Sequence, residues 1–168
     1  IQSAGNYNSI SPAQLVKKYG DKFTAVYAFS VFTHVEIADF QSLLNLVVKL
    51  IEPGGEFLFT AFILTPYSRN AISNKQCLFP FGDTVYEANG QVFIGNTNDR
   101  LGFIAFDLSM IEQMVFEAGL VITNIEHGAW TGSGCGSSLQ DVIVCRRPPN
   151  QTGIIQHVPT VERARRNN

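Results

Sequence analysis

Charged side chains are scarce in this chain: Asp, Glu, Lys and Arg make up 15% of its 168 residues, against roughly 25% in an ordinary soluble domain. With 45% hydrophobic residues, that composition excludes a disordered, solvating chain, which combines low hydrophobicity with many charges. Cysteine is sparse too. Cys77, Cys135 and Cys145 are odd in number and lack the spacing of metal ligands, so neither a disulfide framework nor a zinc ribbon is expected, and no metal. Free thiols in a reducing compartment, the cytoplasm, are the expectation. Long apolar runs are missing as well. The longest, Phe57–Leu64 and Leu43–Ile51, are broken by Thr60, Asn45 and Lys49, and none approaches the roughly 20 residues of a spanning helix. No secretory signal opens the sequence. A soluble protein with no membrane partner is expected.

What is present is enough apolar material for one domain with a sizeable core, including 11% aromatic residues. The net charge of −2 is unevenly spread. Residues 1–145 carry seven basic and thirteen acidic side chains, whereas residues 146–168 carry Arg146, Arg147, Arg163, Arg165 and Arg166 against Glu162. A basic tail over 149–168 can meet nucleic acid or an acidic surface; an exposed terminus reads the same way. The acidic body argues against a nucleic-acid binder, which carries a basic stripe.

Ser11-Pro12-Ala13-Gln14 has the form of a helix start, with a serine cap and proline at the first helical position. Phe23–Ser30 is apolar at nearly every position, which predicts a strand covered on both faces inside a parallel sheet. Over Glu36–Ile51, Ile37, Phe40, Leu43, Leu44, Val47 and Leu50 recur at helical spacing, and Pro53-Gly54-Gly55 is expected to stop that helix. Glu56–Ile63 is a second buried strand. Strand, helix, strand with short links is a βαβ unit, hence an α/β fold with a parallel sheet.

Residues 65–106, rich in Asn, Gly and Pro, are far longer than an ordinary connection and predict an inserted cap of the kind that serves as a lid. Within it, Thr84–Ala88 and Gln91–Ile94 flank an Asn89-Gly90 turn, a hairpin. Asp107–Ala118 resumes helix, with a capping box expected at Ser109 and Glu112 and a stop at Gly119. Leu120–Ile125 and Asp141–Cys145 are two further strands, joined through the Gly/Ser-rich loop 130–138.

The run FTAVYAFSVFTHV, then a helix, then LIEPGGEFLFTAFI resembles the second half of class I S-adenosylmethionine-dependent methyltransferases, with their strand of the form F-D-x-[VI]-x-x-x-S-V-[FL]-x-H and their L-x-P-G-G turn. FDLSMIEQMVFEAGLVI resembles their last helix and sixth strand, and GAWTGSG with LQDVIVCRRP their closing hairpin. The likeness covers Phe23–Pro148 apart from the insertion. It implies a Rossmann-like sheet, mostly parallel with an antiparallel C-terminal hairpin, in a partial methyltransferase domain over residues 1–148. Two departures stand out. Thr24 replaces the usual Asp, and the glycine-rich turn and the acidic strand end that grip the cofactor have no counterpart. The N-terminal strands of that fold are therefore expected in a longer enzyme of which this is the C-terminal part, a reading the absence of an initiator Met favours. A partner, including a second copy of the chain, can supply them instead, or cofactor binding has been lost.

Ligands of open α/β sheets sit outside the carboxyl ends of the strands, here Phe29-Ser30-Val31 and Phe62-Ile63-Leu64. By resemblance, Phe29, Ser30 and Val31 lie beside the methionine moiety of S-adenosylmethionine, where a ring face attracts a sulfonium; core packing is the plainer role of Phe29 and Phe32. His34, just past the strand, can take a proton as methyl transfer proceeds, or it orients the turn and helps cap the helix at Glu36. Tyr67, Phe79, Phe81, Tyr86 and Phe93 either line an apolar wall over the acceptor or form a satellite core. Arg69 and Arg100 can pair with an acidic acceptor or stand solvated. His127 and Trp130 close a strand end near the same edge, with Trp130 packing the hairpin or, with Tyr67 and Tyr86, touching substrate. The expected function is methyl transfer from S-adenosylmethionine to a small-molecule or glycan hydroxyl or amine. The alternatives are a non-catalytic methyltransferase-like module, or a half-domain that needs a partner. Nucleic-acid modification guided by the arginine tail is a third, disfavoured by the acidic body.

Overall fold

The structure, a computed structural model, describes residues 10–134 and 136–149; the basic tail expected at 149–168 lies outside them apart from its first residue. The chain opens with helix α1 (Pro12–Tyr19), closed by the reciprocal hydrogen bonds of Ser11 and Gln14. Strand β1 (Phe23–Ala28) leads to α2 (Ile37–Leu50), whose buried Phe40, Leu44, Val47 and Leu50 lie on one stripe at spacings of three and four. Strand β2 (Ile51–Ala61) begins where α2 ends, so Pro53-Gly54-Gly55 does not stop the helix. It forms an irregularity in the β1–β2 pairing, between the partners Phe23–Ile51 and Ala25–Glu56. Gly54 has φ of 88°, and a Cβ on Gly55 would stand 2.9 Å from the Glu52 carbonyl and 3.0 Å from that of Thr24. Only glycine satisfies both demands.

Next come β3 (Ile63–Leu64), α3 (Pro66–Ser73), β4 (Val85–Glu87), β5 (Val92–Ile94), β6 (Ile104–Asp107), α4 (Leu108–Glu117), β7 (Val121–Glu126) and β8 (Asp141–Arg146). The main sheet has the order β1-β2-β8-β7. β1 and β2 are parallel, and β8 runs antiparallel to both neighbours, so β1, β2 and β7 share one direction. This is the α/β sheet with an antiparallel hairpin that the sequence predicts.

Strand β1 departs from expectation in its burial. It occupies an edge, and among the described residues no strand pairs with its outer side. Phe23 and Tyr27 are 38% and 63% exposed, not covered on both faces. An apolar strand states a demand for cover without naming the element that meets it.

The segment 65–106 is more than a hairpin. β3, β6, β5 and β4 form a second four-stranded sheet, and α3, unforeseen, starts on a capping box between Thr65 and Ser68 with Pro66 behind it. Val92, Ile94, Ile104 and Phe106 of this sheet belong to the same core as Phe32, Phe40, Phe57 and Phe59 of the main layer. The Phe40 ring meets Phe106 edge-on with centroids 5.0 Å apart. A satellite core of Phe62, Leu64, Phe93, Phe103, Ala105 and Trp130 takes in Phe79 and Phe81.

Helix α4 is capped by Asp107, whose Oδ1 accepts from the Ser109 amide at 3.0 Å, and not by Ser109 with Glu112. Burial alone would raise the Asp107 carboxyl. Hydrogen bonds from Ser109 and Arg69 outweigh it and hold the group below its ordinary value. A carboxylate depressed in the folded state adds stability above its unfolded value, about pH 4, and that stability disappears as pH falls through the folded one. Urea unfolding followed down through this range should show Asp107→Asn losing less stability to acid than the unmodified chain.

Cys145 is buried in β8, and burial pushes its thiol up to about 12. Iodoacetamide at neutral pH should leave it unmodified in the folded chain and alkylate it after denaturation, as peptide mass mapping would show, because the thiolate is the reactive form.

Candidate active site

The carboxyl ends of β1, β2 and β7 and the start of β8 meet along one sheet edge: Ala28 is opposite Phe59, Ala61 opposite Asp141 and Glu126 opposite Val142. At the β1 end, Ser30 turns the backbone through φ of 54°, a left-handed conformation that a non-glycine residue keeps only when its surroundings hold it. Those surroundings are visible. The Ser30 amide donates to Thr60 Oγ1 at 2.9 Å, and its hydroxyl lies 2.8 Å from the Gln140 amide nitrogen. Phe29 and Val31 on either side are 65% and 39% exposed, so Phe29 is not a core residue, whereas Phe32 is, at 1%.

A cavity of about 480 Å³ lies between the segments that follow β2 and β7, within the usual range for small-molecule sites. Ile63, Pro66 and Tyr67 form one wall; His127, Trp130 and Asp141 form the other. Asp141, 2% exposed, organises it. Its Oδ2 accepts from the Ile63 amide at 2.7 Å and from Trp130 Nε1 at 2.8 Å. Its Oδ1 accepts from the Gly128 amide at 2.9 Å and meets His127 Nδ1 at 3.2 Å. A carboxylate can be buried only when so satisfied. The close approach requires glycine at 128, because a Cβ there would stand 2.4 Å from the Gln140 backbone.

The expected site residues divide. Tyr67 and Trp130 line the cavity, Tyr67 60% exposed and Trp130 only 1%, so the indole is chiefly a core residue whose N–H fixes Asp141. Tyr86 is absent from the lining. It packs on Phe93 at 5.0 Å and under the Arg69 guanidinium at 5.6 Å, and burial, opposed by Arg69, raises its phenol. His34 also lies away from the cavity lining. Its Nδ1 is 2.7 Å from the Leu101 carbonyl, which ties the β1–α2 loop to the β5–β6 connection rather than capping α2. Neither arginine is free for an acidic acceptor: Arg69 pairs with Asp107 at 2.7 Å, and Arg100 is forked between Glu36 and Glu87.

Sequence reasoning missed Asp141, Thr60 and Gln140, and it noted His127 without a role. The available signal was an Asp opening an apolar strand (DVIVC), a place where a charge needs several donors. Among the described residues no His, Cys, Asp and Glu are grouped to hold a metal ion, and no helix is long and apolar enough to cross a membrane.

The fold has counterparts among solved structures. A 1,6-didemethyltoxoflavin-N1-methyltransferase from Burkholderia thailandensis, with bound 1,6-didemethyltoxoflavin and S-adenosylhomocysteine, matches 77% of this chain over 45% of its own at TM-score 0.50 and 12% identity. A Methanosarcina mazei S-adenosylmethionine-dependent methyltransferase matches 78% over 62% of its own, also at 0.50, with 13% identity. The fold is that of class I S-adenosylmethionine-dependent methyltransferases. A protein from Pyrococcus horikoshii OT3 matches 77% of this chain over 53% of its own at TM-score 0.50 and 13% identity. The chain thus spans about half the length of the solved structures it matches. No family model and no curated protein matches the sequence.

Proposed function

We propose that this chain serves S-adenosylmethionine-dependent methyl transfer to a small-molecule or glycan hydroxyl or amine, with the acceptor in the cavity held by Asp141. The observation that carries this reading is the shared edge. Gln140 fastens the bend at Ser30, and Asp141, the next residue, builds the wall of the cavity, so two places at one end of the sheet are set by consecutive residues.

The residues at the β1 end fit the methionine end of the cofactor. An exposed Phe29 ring offers a face to a sulfonium, and Ser30 and Val31 present an open strand terminus beside it. The group supplies an electrophilic methyl when bound. The chain's part is to hold the acceptor in line and keep it from drifting, and alignment alone can supply a large share of the rate. With two free thiols among the described residues, a reducing location, the cytoplasm, suits this reading.

A second reading has its own observation. The edge of β1, unpaired among the described residues and with Tyr27 63% and Phe29 65% exposed, suits a half-domain completed by a strand from elsewhere, whether an N-terminal segment, a partner or a second copy.

The test is transfer of labelled methyl from S-adenosylmethionine to a panel of small hydroxyl and amine compounds. Transfer that S-adenosylhomocysteine suppresses supports the enzyme. Absence of both transfer and cofactor binding overturns it and leaves the half-domain.

A further inference from the structure

We infer that His127 is the proton acceptor of the cavity, positioned by Asp141, and that the cavity takes an uncharged aromatic molecule bearing a hydroxyl. The inference rests on the methyl-transfer reading only for the fate of the hydroxyl oxygen.

The geometry fixes the tautomer. Asp141 accepts from two backbone amides and an indole, so its carboxylate has donors on both oxygens and no proton of its own to offer. His127 Nδ1, 3.2 Å from Oδ1, must therefore carry the hydrogen. Nε2 then bears the lone pair on the far side of the ring, which is 61% exposed along the cavity wall. A buried carboxylate behind an imidazole also stabilises the imidazolium that forms when Nε2 takes a proton.

The walls describe the guest. Ile63, Pro66, Tyr67 and Trp130 make them largely apolar and aromatic, and among the described residues no Lys or Arg lines the space, so an anionic acceptor finds no countercharge there. The titratable groups around it are His127, Asp141 and Tyr67; Glu126, next to His127, is engaged by Ser137. In the proposed step the O–H bond of the guest breaks and an Nε2–H bond forms. The oxygen would keep the electron pair and bond to the methyl carbon as the carbon–sulfur bond of a bound S-adenosylmethionine broke, that bond's electrons passing to sulfur and neutral S-adenosylhomocysteine leaving. The proton afterwards leaves the imidazolium to water.

The test uses the whole chain and phenol as probe. Long-range proton–nitrogen NMR of the histidine rings should show His127 as the Nδ1–H tautomer, with phenol shifting Nε2 saturably. Asp141→Asn should lose the tautomer preference. His127→Gln should keep the folded spectrum and weaken phenol about tenfold, the upper end for one hydrogen bond. In the methyl-transfer assay, His127→Gln should lower kcat by at least about a hundredfold with KM much less affected. An Nε2–H tautomer, or phenol shifting Tyr67 and Trp130 without His127, overturns the inference. S-adenosylhomocysteine titrated in parallel separates the two ideas. Its failure to bind with the phenol result intact removes methyl transfer alone, whereas its binding beside a silent His127 removes the proton acceptor alone.

Discussion

Asp141→Ala is expected to destabilise the chain by about 3–5 kcal/mol, the range for removing one partner from a buried charged network. The side chain is 2% exposed and joins β8 to two other segments: the Ile63 amide after β2, and the Gly128 amide and Trp130 indole after β7. Removing it strands those donors away from water, and each unmet buried group costs about 1–3 kcal/mol. Asp141→Asn keeps one acceptor oxygen and should lose less. Urea unfolding reads the difference as a shift in midpoint at unchanged slope. A loss below about 1 kcal/mol would mean that water reaches these donors and that the carboxylate does not organise the cavity.

Phe106→Ala should cost a similar amount, about 3–5 kcal/mol, and its form matters as much as its size. Phe106 is fully buried on β6 and packs against Phe40 of α2, at 5.0 Å between centroids. With Val92, Ile94 and Ile104 it joins the second sheet to the core of the first. Circular dichroism and Trp130 fluorescence should therefore fall together in one transition at lower urea. Separate transitions, with the second sheet lost first, would mean that residues 65–106 form a unit of their own, a detachable lid.

The elements most legible in the sequence were those with strong local patterns. Helix α2 declared itself by its apolar spacing, and α1 by Ser11, Pro12 and Gln14. The pair β4 and β5 was announced by Asn89-Gly90, where Asn89 has φ of 55° and Gly90 86°. Helix α3 had its signal too, in Thr65-Pro66 with Ser68 two residues on, but a polar helix of eight residues with only Ser68 and Ala71 buried shows almost no hydrophobic period. The cap of α4 fell to Asp107 over Ser109 because a carboxylate at that place also captures Arg69, a partner 38 residues away that no local pattern reveals.

The site was less legible than the fold, for the same reason. Aromatic residues near a strand end look alike in sequence whether they line a cavity, as Tyr67 does, or brace an arginine, as Tyr86 does. His34 and His127 both follow strands. What separates them is the far partner of each ring, a backbone carbonyl for one and a buried carboxylate for the other. The first pairing depends on the β5–β6 connection and the second on the chain's return through β8, neither of which sequence periodicity encodes.

The most direct measurement is an NMR map of backbone amides during titration with S-adenosylhomocysteine, which registers weak association as well as strong. Saturable shifts centred on Phe29, Ser30 and Val31, reaching Thr60 and Gln140 through their bonds to Ser30, are the predicted result. Absence of any saturable shift along this edge, in a chain whose spectrum shows it folded, would contradict the assignment of the β1 end to the cofactor.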